Sequence, residues 1–250
     1  MEYKIAGMNI ELNDYVLNIN GRIVERSVRV ASELKDVLYS KGWLKGNENA
    51  HLYYMYRNAA AFKQLSESKV RYDITVLKPL MLGEEFNKTL GHYHKIAEKG
   101  LSYPELYEVL DGEALYLLQR PLQEKTEVVL ISARKGDKVL IPPNYGHITI
   151  NTGKSDLVMA NLVSSEFESD YRPIIEKRGG AVYVLRGKEI VPNKNYGDIK
   201  LEIRDGPEEY ALELKANILD SFLEDPEKFK FLNKPSLRWQ NDDRYLKLKR

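Results

Sequence analysis

Short runs of apolar residues, separated by turn signals, recur through the middle of the chain. Apolar and polar residues alternate in some runs, and other runs are continuously apolar; both patterns are typical of β-strands. Many short strands at this spacing predict a closed antiparallel barrel or a sandwich. The predicted strands are 70–78, 89–94, 105–110, 113–119, 127–132, 138–141, 147–152, 156–163 and 181–186.

The first 66 residues have a mixed pattern. Apolar runs on both sides of the turn pair Asn20-Gly21 predict a hairpin within residues 1–26. Ser27 is a suitable N-cap for a helix that ends at Gly42. The apolar face of that helix would carry Val30, Leu34, Val37 and Leu38. We therefore expect residues 1–66 to form strands and helices that pack on a central barrel, residues 67–190.

Beyond Gly197 the composition becomes helical and charged. Asp205 or Gly206 can cap a helix that runs from Pro207 to Asp225. Its apolar face would carry Ala211, Leu214, Ile218 and Phe222. The tail has four aromatic residues that would pack on the barrel or on a second subunit: Phe229, Phe231, Trp239 and Tyr245. Residues 191–250 are thus predicted to be a helical extension of one globular domain.

Composition limits the chemistry. The 250 residues carry a formal net charge of +1, which gives no reason to expect a nucleic acid or an anionic membrane as partner. There is no cysteine, so a metal ion would be held by imidazole and carboxylate groups. No stretch has the length of a membrane span, and the start lacks the basic and apolar pattern of a signal peptide. We expect a cytoplasmic protein.

Three of the four histidines fall in two short segments. His92 and His94 are separated by one residue, so in an extended strand both imidazoles lie on one face and can reach one ion. An isolated pair of this kind is more often two half-buried strand residues. A second segment, GDKVLIPPNYGHITIN at 136–151, supplies His147 after a Pro-Pro turn. The two segments together favour a metal site.

These segments resemble a known pair of motifs. The words TxGHYH, PELYEVLxG and IPPxxGHITIN are similar to those of the cupin-type phosphoglucose isomerases found mainly in archaea. The resemblance covers about residues 70–172. It implies a mainly β fold, a cupin-type antiparallel β-barrel (a double-stranded β-helix, or jelly roll) with flanking N- and C-terminal helices. The full patterns, in the order of the two cupin motifs, are His92-x-His94-x10-Glu105-x6-Gly112 and Gly136-x5-Pro142-x-Asn144-x2-His147-x3-Asn151.

The resemblance implies a metal centre formed by His92, His94, Glu105 and His147. Three imidazoles and one carboxylate with open coordination positions suit one divalent transition ion per subunit. Iron is the first expectation, and manganese, nickel, cobalt and zinc are the others.

Two further carboxylates compete with Glu105 for the fourth position. Glu98 has the shorter spacing from His94 that is usual in many cupins, and Glu108 would face the opposite side of the strand. If they are not ligands, Glu98 and Glu108 are interpreted as charged side chains in contact with solvent. The choice of Glu105 makes residues 95–104 an enlarged loop at the mouth of the cavity.

Other site residues follow from the resemblance. Tyr107 shares a strand face with Glu105 and is either a barrel-filling aromatic or, as the resemblance favours, a substrate contact in a catalytic role. The family holds its substrate phosphate with threonine hydroxyls and a glycine amide. The positions that match are Thr75, Thr89 and Gly91, with Tyr56 as a further member.

Two features of these motifs stand out. In a regular strand Thr89 and Gly91 would face away from His92, so the chain must bulge or turn before the histidines. The chain has Ser169 where members of the family can carry a histidine, so any acid or base role of that histidine is missing here.

The resemblance implies a metal-dependent isomerase that interconverts glucose 6-phosphate and fructose 6-phosphate, and a homodimer. Glu105 would move the proton between C1 and C2, or would serve only as a ligand while hydride moves directly. Two alternatives keep the site: an isomerase or epimerase for mannose 6-phosphate, an unphosphorylated aldose or a uronate, and a cupin that binds a sugar without converting it.

Overall fold

The computed structural model describes residues 1–207, 214 and 216–239. Most of them lie in β-strands or in the turns between strands. The strands are β1 (Glu2–Ile5), β2 (Met8–Asn13), β3 (Val16–Ile19), β4 (Arg22–Ile23), β5 (Ser27–Val30), β6 (His51–Tyr56), β7 (Val70–Leu77), β8 (Met81–Leu82), β9 (Glu85–Phe86), β10 (Tyr93–His94), β11 (Ile96–Glu98), β12 (Leu101–Ser102), β13 (Glu105–Asp111), β14 (Glu113–Leu122), β15 (Lys125–Arg134), β16 (Lys138–Ile141), β17 (Gly146–Asn151), β18 (Leu157–Ser164), β19 (Ser169–Asp170), β20 (Val182–Leu185), β21 (Glu189–Pro192) and β22 (Asp198–Arg204).

Helices in the described residues are short. The α-helices are α1 (Lys63–Glu67), α2 (Arg172–Glu176), α3 (Ile218–Glu224) and α4 (Ser236–Trp239). Turns of 3₁₀-helix lie at Ala31–Leu34, Lys41–Leu44, Arg186–Lys188, Lys194–Tyr196 and Pro226–Leu232.

Two sheets form the body of the molecule. One has six strands in the order β16-β13-β18-β7-β6-β5, with every pair antiparallel. The other has the order β17-β14-β15-β22 and is antiparallel except for its last pair. Apolar side chains from both sheets meet in one buried cluster, the inner core, which includes Val109, Leu117, Leu130, Ile148 and Leu157. The prediction of a mainly β, barrel-like fold is confirmed.

A second buried cluster, the outer core, lies on the other face of the six-stranded sheet. The four-stranded sheet β1-β2-β3-β4 and the C-terminal helices cover this face. The outer core includes Ile10, Tyr72, Phe222, Phe229 and Trp239. The aromatic tail residues Phe229, Phe231 and Trp239 therefore pack on the barrel, as one of the two alternatives predicted, whereas Tyr245 lies outside the described residues.

The predicted helix after Ser27 is wrong. Residues Ser27–Val30 pair with β6 as an edge strand, and only a 3₁₀ turn follows, at Ala31–Leu34. The β-branched Val28 and Val30 favour this extended conformation. The backbone N–H of Val30 donates to the Glu33 carboxylate, which fixes the turn. The predicted hairpin at Asn20-Gly21 is confirmed between β3 and β4, and both residues have positive φ.

The C-terminal extension is only partly helical. Residues Asp198–Arg204 form β22, parallel to β15, and their alternation of Ile199, Leu201 and Ile203 with polar residues is a strand pattern. The predicted helix exists as α3, from Ile218, with the Asn217 side chain accepting from Asp220 N–H at its start. The earlier part of that predicted helix, 208–213 and 215, lies outside the described residues.

Candidate metal centre

The two histidine segments meet through their backbones. His92 N–H donates to His147 O at 3.2 Å, and His147 N–H donates to His92 O at 3.0 Å. Gly91 precedes this bridge with φ +79°, and a Cβ at that position would overlap Ile148. Only glycine fits both conditions. The predicted turn before the histidines is thus present, and it shortens predicted strand 89–94 to the two residues of β10.

The four predicted ligands converge. His94, Glu105 and His147 come from β10, β13 and β17, and His92 comes from the segment before β10. Their ligand atoms all lie within 4.8 Å of one another. The Glu105 Oε2 atom is 3.3 Å from His94 Nε2 and 3.3 Å from His147 Nε2. His92 Nε2 is 3.1 Å from His94 Nε2.

Burial determines the protonation of this cluster. Burial, together with the neighbouring imidazoles, lowers the pKa of His92 well below its usual value, and burial likewise lowers the pKa of His147. Burial acts to raise the pKa of Glu105, but the polar contacts and charge of His147 and His94 outweigh it and leave this pKa well below the usual value. At neutral pH His92 and His147 are therefore neutral beside the Glu105 carboxylate, which is the form of these ligands that binds a cation.

Neighbouring groups orient the ligands. His94 Nδ1 is 2.7 Å from the carbonyl oxygen of Tyr103, so Nδ1 carries the proton and Nε2 keeps its lone pair for a metal. Tyr103 belongs to the predicted mouth loop, 95–104, which contains a small hairpin of β11 and β12. The Tyr107 hydroxyl lies 3.3 Å from His147 Nε2.

The donor set fits a divalent cation. Glu105 Oε2 is buried and makes no hydrogen bond of good geometry within the part of the chain that the structure describes. A buried carboxylate oxygen without a partner is costly. An ion held by His92, His94, Glu105 and His147 would satisfy this oxygen together with the imidazole lone pairs.

A small cavity of about 40 Å³ adjoins the cluster. Of the predicted substrate-binding residues, Thr75, Thr89 and Gly91 line it, as does Tyr107. Thr89 Oγ1 accepts from Thr149 N–H at 3.0 Å, which fixes the hydroxyl at the cavity wall.

Tyr56 is not brought to the cavity. It lies on the outer face of β6, fully buried in the outer core, and its hydroxyl donates to Tyr15 O at 2.6 Å. The inward positions of β6 are Tyr53 and Met55. Tyr53 takes the place expected for Tyr56, because its hydroxyl accepts from Leu90 N–H at 3.2 Å beside Gly91. Met55 pairs in register with Thr75, so the odd-numbered positions of β6 face inward together with Thr75.

Sequence reasoning also missed Arg57 and Asn161, which line the same cavity. Neither falls in a motif. Both become visible only when β6, β7 and β18 are aligned, since Asn161 pairs with Asp73 and Asp73 binds Arg57.

The two competing carboxylates, Glu98 and Glu108, have structural partners. Glu98 Oε1 accepts from Ser236 N–H at 3.0 Å and from Ser236 Oγ at 2.7 Å, which ties β11 to α4. Glu108 is buried on the outer face of β13 and accepts from Ile218 N–H at 2.8 Å. The interpretation as a solvated charge is wrong for Glu108, whereas Glu98 is only half-buried and binds Ser236.

Aromatic rings close one side of the metal cluster. Phe167 lies 4.4 Å from His94 and Tyr171 lies 5.5 Å from His92, centroid to centroid. Ser169, where family members can carry a histidine, pairs with His94 in the two-stranded ladder of β10 and β19. The altered position is therefore directly beside the ligands.

The barrel is antiparallel, and three imidazoles and one carboxylate converge on its inner side. This combination is that of a cupin with a candidate metal site. Solved structures with a limited similarity to the chain include two oxalate-converting enzymes. An oxalate oxidase is 18% identical with a TM-score of 0.35, over 47% of this chain and 51% of its own. An oxalate decarboxylase is 16% identical with a TM-score of 0.35, over 48% of this chain and 29% of its own.

Sequence comparison identifies the family. The family model of glucose-6-phosphate isomerase matches residues 28–200. The glucose-6-phosphate isomerase of Thermococcus litoralis is 30% identical over 172 residues, 68% of this chain and 86% of the relative. That of Thermococcus gammatolerans is 30% identical over 191 residues, 76% of this chain and 95% of the relative. The chain belongs to the glucose-6-phosphate isomerase family, a family of isomerases.

Among the described residues, no helix has the length and apolar character needed to cross a membrane.

Proposed function

We propose that this protein interconverts glucose 6-phosphate and fructose 6-phosphate. The observation that carries the proposal is the convergence of His92, His94, Glu105 and His147 beside a cavity that Thr75, Thr89 and Gly91 also line. Membership of the isomerase family supports the same reaction.

The reaction moves hydrogen between C1 and C2 of the open-chain sugar. A divalent ion bound by the four ligands would polarise the carbonyl and stabilise negative charge on the sugar oxygens. Glu105 is the one carboxylate among the described residues that line the cavity, and its lowered pKa keeps it ionised at neutral pH. We assign to it, from its place in the cavity, the role of the base that carries the proton between the two carbons.

Tyr107 assists as a hydrogen-bond donor. Burial, with a further contribution from the Glu105 charge, raises the pKa of the Tyr107 phenol well above its usual value. The phenol stays protonated and can donate to a sugar oxygen beside the metal ligands.

The phosphate binds to neutral donors at one end of the cavity. Thr75, Thr89 and Tyr53 supply hydroxyl groups, and Gly91 supplies a backbone N–H in a position where no side chain is tolerated. Hydrogen bonds to a phosphate are charge-assisted, so neutral donors are adequate.

The cavity must widen to admit the sugar. A volume of about 40 Å³ holds only a few water molecules. The aromatic residues Phe167 and Tyr171 lie on the side of the cavity formed by the short ladder of β10 and β19, and this ladder has only two residue pairs.

The proposal includes three finer points. Iron is the expected ion, with manganese, nickel, cobalt or zinc as competent substitutes. The protein acts as a homodimer, as the resemblance implies. Its place of action is the cytoplasm, where a sugar phosphate isomerase has its substrate.

The test is a coupled assay that follows conversion of fructose 6-phosphate to glucose 6-phosphate. Chelator-treated protein is measured before and after addition of iron, manganese, nickel or zinc. We expect activity to disappear with the chelator and to return with at least one ion. Protein that binds these ions stoichiometrically and converts no sugar phosphate with any of them would refute the function.

A further inference from the structure

A row of polar side chains crosses the cavity wall from Arg57, the residue that follows β6, to Tyr107 on β13. Arg57 binds Asp73 on β7, Asp73 pairs in register with Asn161 on β18, and Asn161 pairs in register with Tyr107 on β13. Three of the four, Arg57, Asn161 and Tyr107, line the cavity next to Thr75. This row lies outside the residues that the motifs pointed to, apart from Tyr107.

The guanidinium of Arg57 is held at one end and accessible at the other. Its Nη1 is 2.6 Å from Asp73 Oδ2, and its Nη2 makes only a weak contact of 3.6 Å with Met55 Sδ. The Arg57 side chain is 43% exposed, whereas the Asp73 side chain is fully buried. A ligand that enters the cavity can therefore reach the cation but not the carboxylate.

The carboxylate does not neutralise this cation by itself. Asp73 Oδ2 also accepts from Arg71 Nε at 2.8 Å, and Oδ1 accepts from Asn58 N–H at 2.9 Å. Arg57 and Arg71 share this one carboxylate, so Asp73 alone does not balance both guanidinium charges.

Asn161 supplies an independent indication of a ligand. It is 1% exposed, and its Nδ2 has no hydrogen-bond partner among the described residues. A buried donor without an acceptor is costly, and an oxygen of a bound molecule would satisfy it. The wall thus offers a cation and an unused N–H group, while its one carboxylate is occupied.

We propose that Arg57 contacts the phosphate of the bound sugar and that Asn161 donates a hydrogen bond to an oxygen of the same ligand. This inference rests on the proposed function for the identity of the ligand. Thr75 is two residues from Asp73 on β7, pairs in register with Met55 on β6, and lines the same cavity as Arg57, so a phosphate held by the neutral donors shares this cavity with the guanidinium. Arginine is well suited to this role because its fork of donors matches phosphate oxygens.

The test compares Arg57→Met, which keeps an unbranched apolar stem and removes the guanidinium charge, with Arg71→Met. Arg71 binds the same Asp73 oxygen but stacks on Phe167 at 4.8 Å and is not among the cavity-lining residues. Circular dichroism verifies that both variants fold.

Binding is measured without turnover, as the rise in thermal midpoint with inorganic phosphate, glucitol 6-phosphate or glucitol. We expect Arg57→Met to lower the affinity for inorganic phosphate and for glucitol 6-phosphate by about tenfold or more. The free energy of a hydrogen bond to a charged group corresponds to a change of that magnitude. Glucitol binding should not change, Arg57→Lys should recover part of the loss, and Arg71→Met should bind all three ligands as the wild type does.

Three outcomes would overturn the inference. If Arg57→Met bound phosphate with the affinity of the wild type, Arg57 would not contact the phosphate. An equal loss for glucitol and glucitol 6-phosphate would make Arg57 a general structural element of the cavity. For Asn161→Leu, which fills the same space without a donor, unchanged binding of glucitol 6-phosphate would exclude Asn161, where we expect a loss of about fivefold.

Failure of the isomerase proposal would look different. Phosphate binding that depends on Arg57, in a protein that converts no sugar phosphate, would uphold the anion contact and reject the activity. Isomerase activity in a protein whose phosphate binding does not depend on Arg57 would uphold the activity and reject the Arg57 contact.

Discussion

Glu105 and Glu108 stand three residues apart on β13, both buried, and on opposite faces of the six-stranded sheet. Glu108 faces the outer core and is satisfied by the chain itself, through Ile218 N–H at 2.8 Å and Lys138 Nζ at 3.5 Å. Glu105 faces the inner core, where its neighbours are imidazoles and its Oε2 lacks a hydrogen bond of good geometry. The difference teaches that burial alone does not distinguish the two carboxylates: Glu108 is paired by the protein, whereas the candidate metal ligand Glu105 is incompletely paired.

The two faces of the sheet differ in the same way beyond these residues. On the outer face the polar groups hold elements together, as Glu108 does for α3 and Tyr56 does for the turn at Tyr15. On the inner face Glu105, Asn161, His92 and His147 line one cavity, and His94 joins them in the candidate metal cluster. Substitutions on the inner face should therefore change activity, and substitutions on the outer face should change stability.

The largest effect is expected for Glu105→Gln. The amide keeps the shape but cannot act as a base, so turnover should fall by about a hundredfold or more. The coupled assay measures this loss, and circular dichroism verifies the fold. Unchanged turnover with retained metal would remove Glu105 from the chemistry.

The double variant Thr75→Val and Thr89→Val tests the phosphate end of the inner face. Loss of two charge-assisted hydrogen bonds should raise the Michaelis constant for fructose 6-phosphate by about tenfold to a hundredfold, with a smaller change in turnover number. Steady-state kinetics measure both parameters. A Michaelis constant that does not move would favour a sugar without phosphate as the substrate.

Glu108→Ala tests the outer face. Loss of the acceptor leaves Ile218 N–H without its partner and should lower the free energy of unfolding by about 1–3 kcal/mol, with the isomerase rate unchanged. Urea unfolding and the coupled assay measure the two quantities. A large fall in rate at unchanged metal content would contradict the division between the two faces.

The stability difference between wild type and Glu108→Gln should depend on pH. Burial raises the pKa of Glu108 above its ordinary value of 4.5 in the folded protein. A raised pKa in the folded state stabilises the protein at low pH, and this contribution is lost as pH rises through the folded pKa. We expect the free energy of unfolding of wild type to fall relative to Glu108→Gln as pH rises from 4.5, and a constant difference would contradict the raised pKa.

The smallest effects distinguish the two faces of β6. Tyr56→Phe removes the hydrogen bond to Tyr15 O and should cost about 0.5–1.5 kcal/mol of stability without changing kinetics. Tyr53→Phe removes the hydroxyl beside Leu90 N–H and should raise the Michaelis constant instead. Thermal unfolding measures the stability of both variants, and steady-state kinetics measure their Michaelis constants. A raised Michaelis constant in Tyr56→Phe, with none in Tyr53→Phe, would assign Tyr56 to the substrate site.

The predictions from sequence succeeded where a short motif fixes the geometry. The spacing of His92 and His94 indicated one shared face, and the resemblance to the paired cupin motifs added Glu105 and His147, so the convergence of the four side chains could be predicted without a structure. The strands around them could be predicted because their apolar runs are bounded by turns.

Where the outcome depended on pairing between distant strands, sequence reasoning failed. The choice between Tyr53 and Tyr56 depends on which face of β6 matches Thr75 on β7, and one tyrosine-rich run gives no local answer. Arg57 and Asn161 became neighbours of Tyr107 only through the register of β6, β7, β18 and β13. The charged composition of β22 favoured a helix, although its alternation of Ile199, Leu201 and Ile203 favoured the strand that forms.

The position of the metal is the property to measure first. Crystals of iron- or manganese-loaded protein, measured at the absorption edge of the ion, give an anomalous difference map. We expect one strong peak per chain between His92, His94, Glu105 and His147, and its loss in a variant with three of the four ligands replaced. A peak elsewhere in the molecule, or none in protein that is active with the ion, would contradict a metal centre at these four residues.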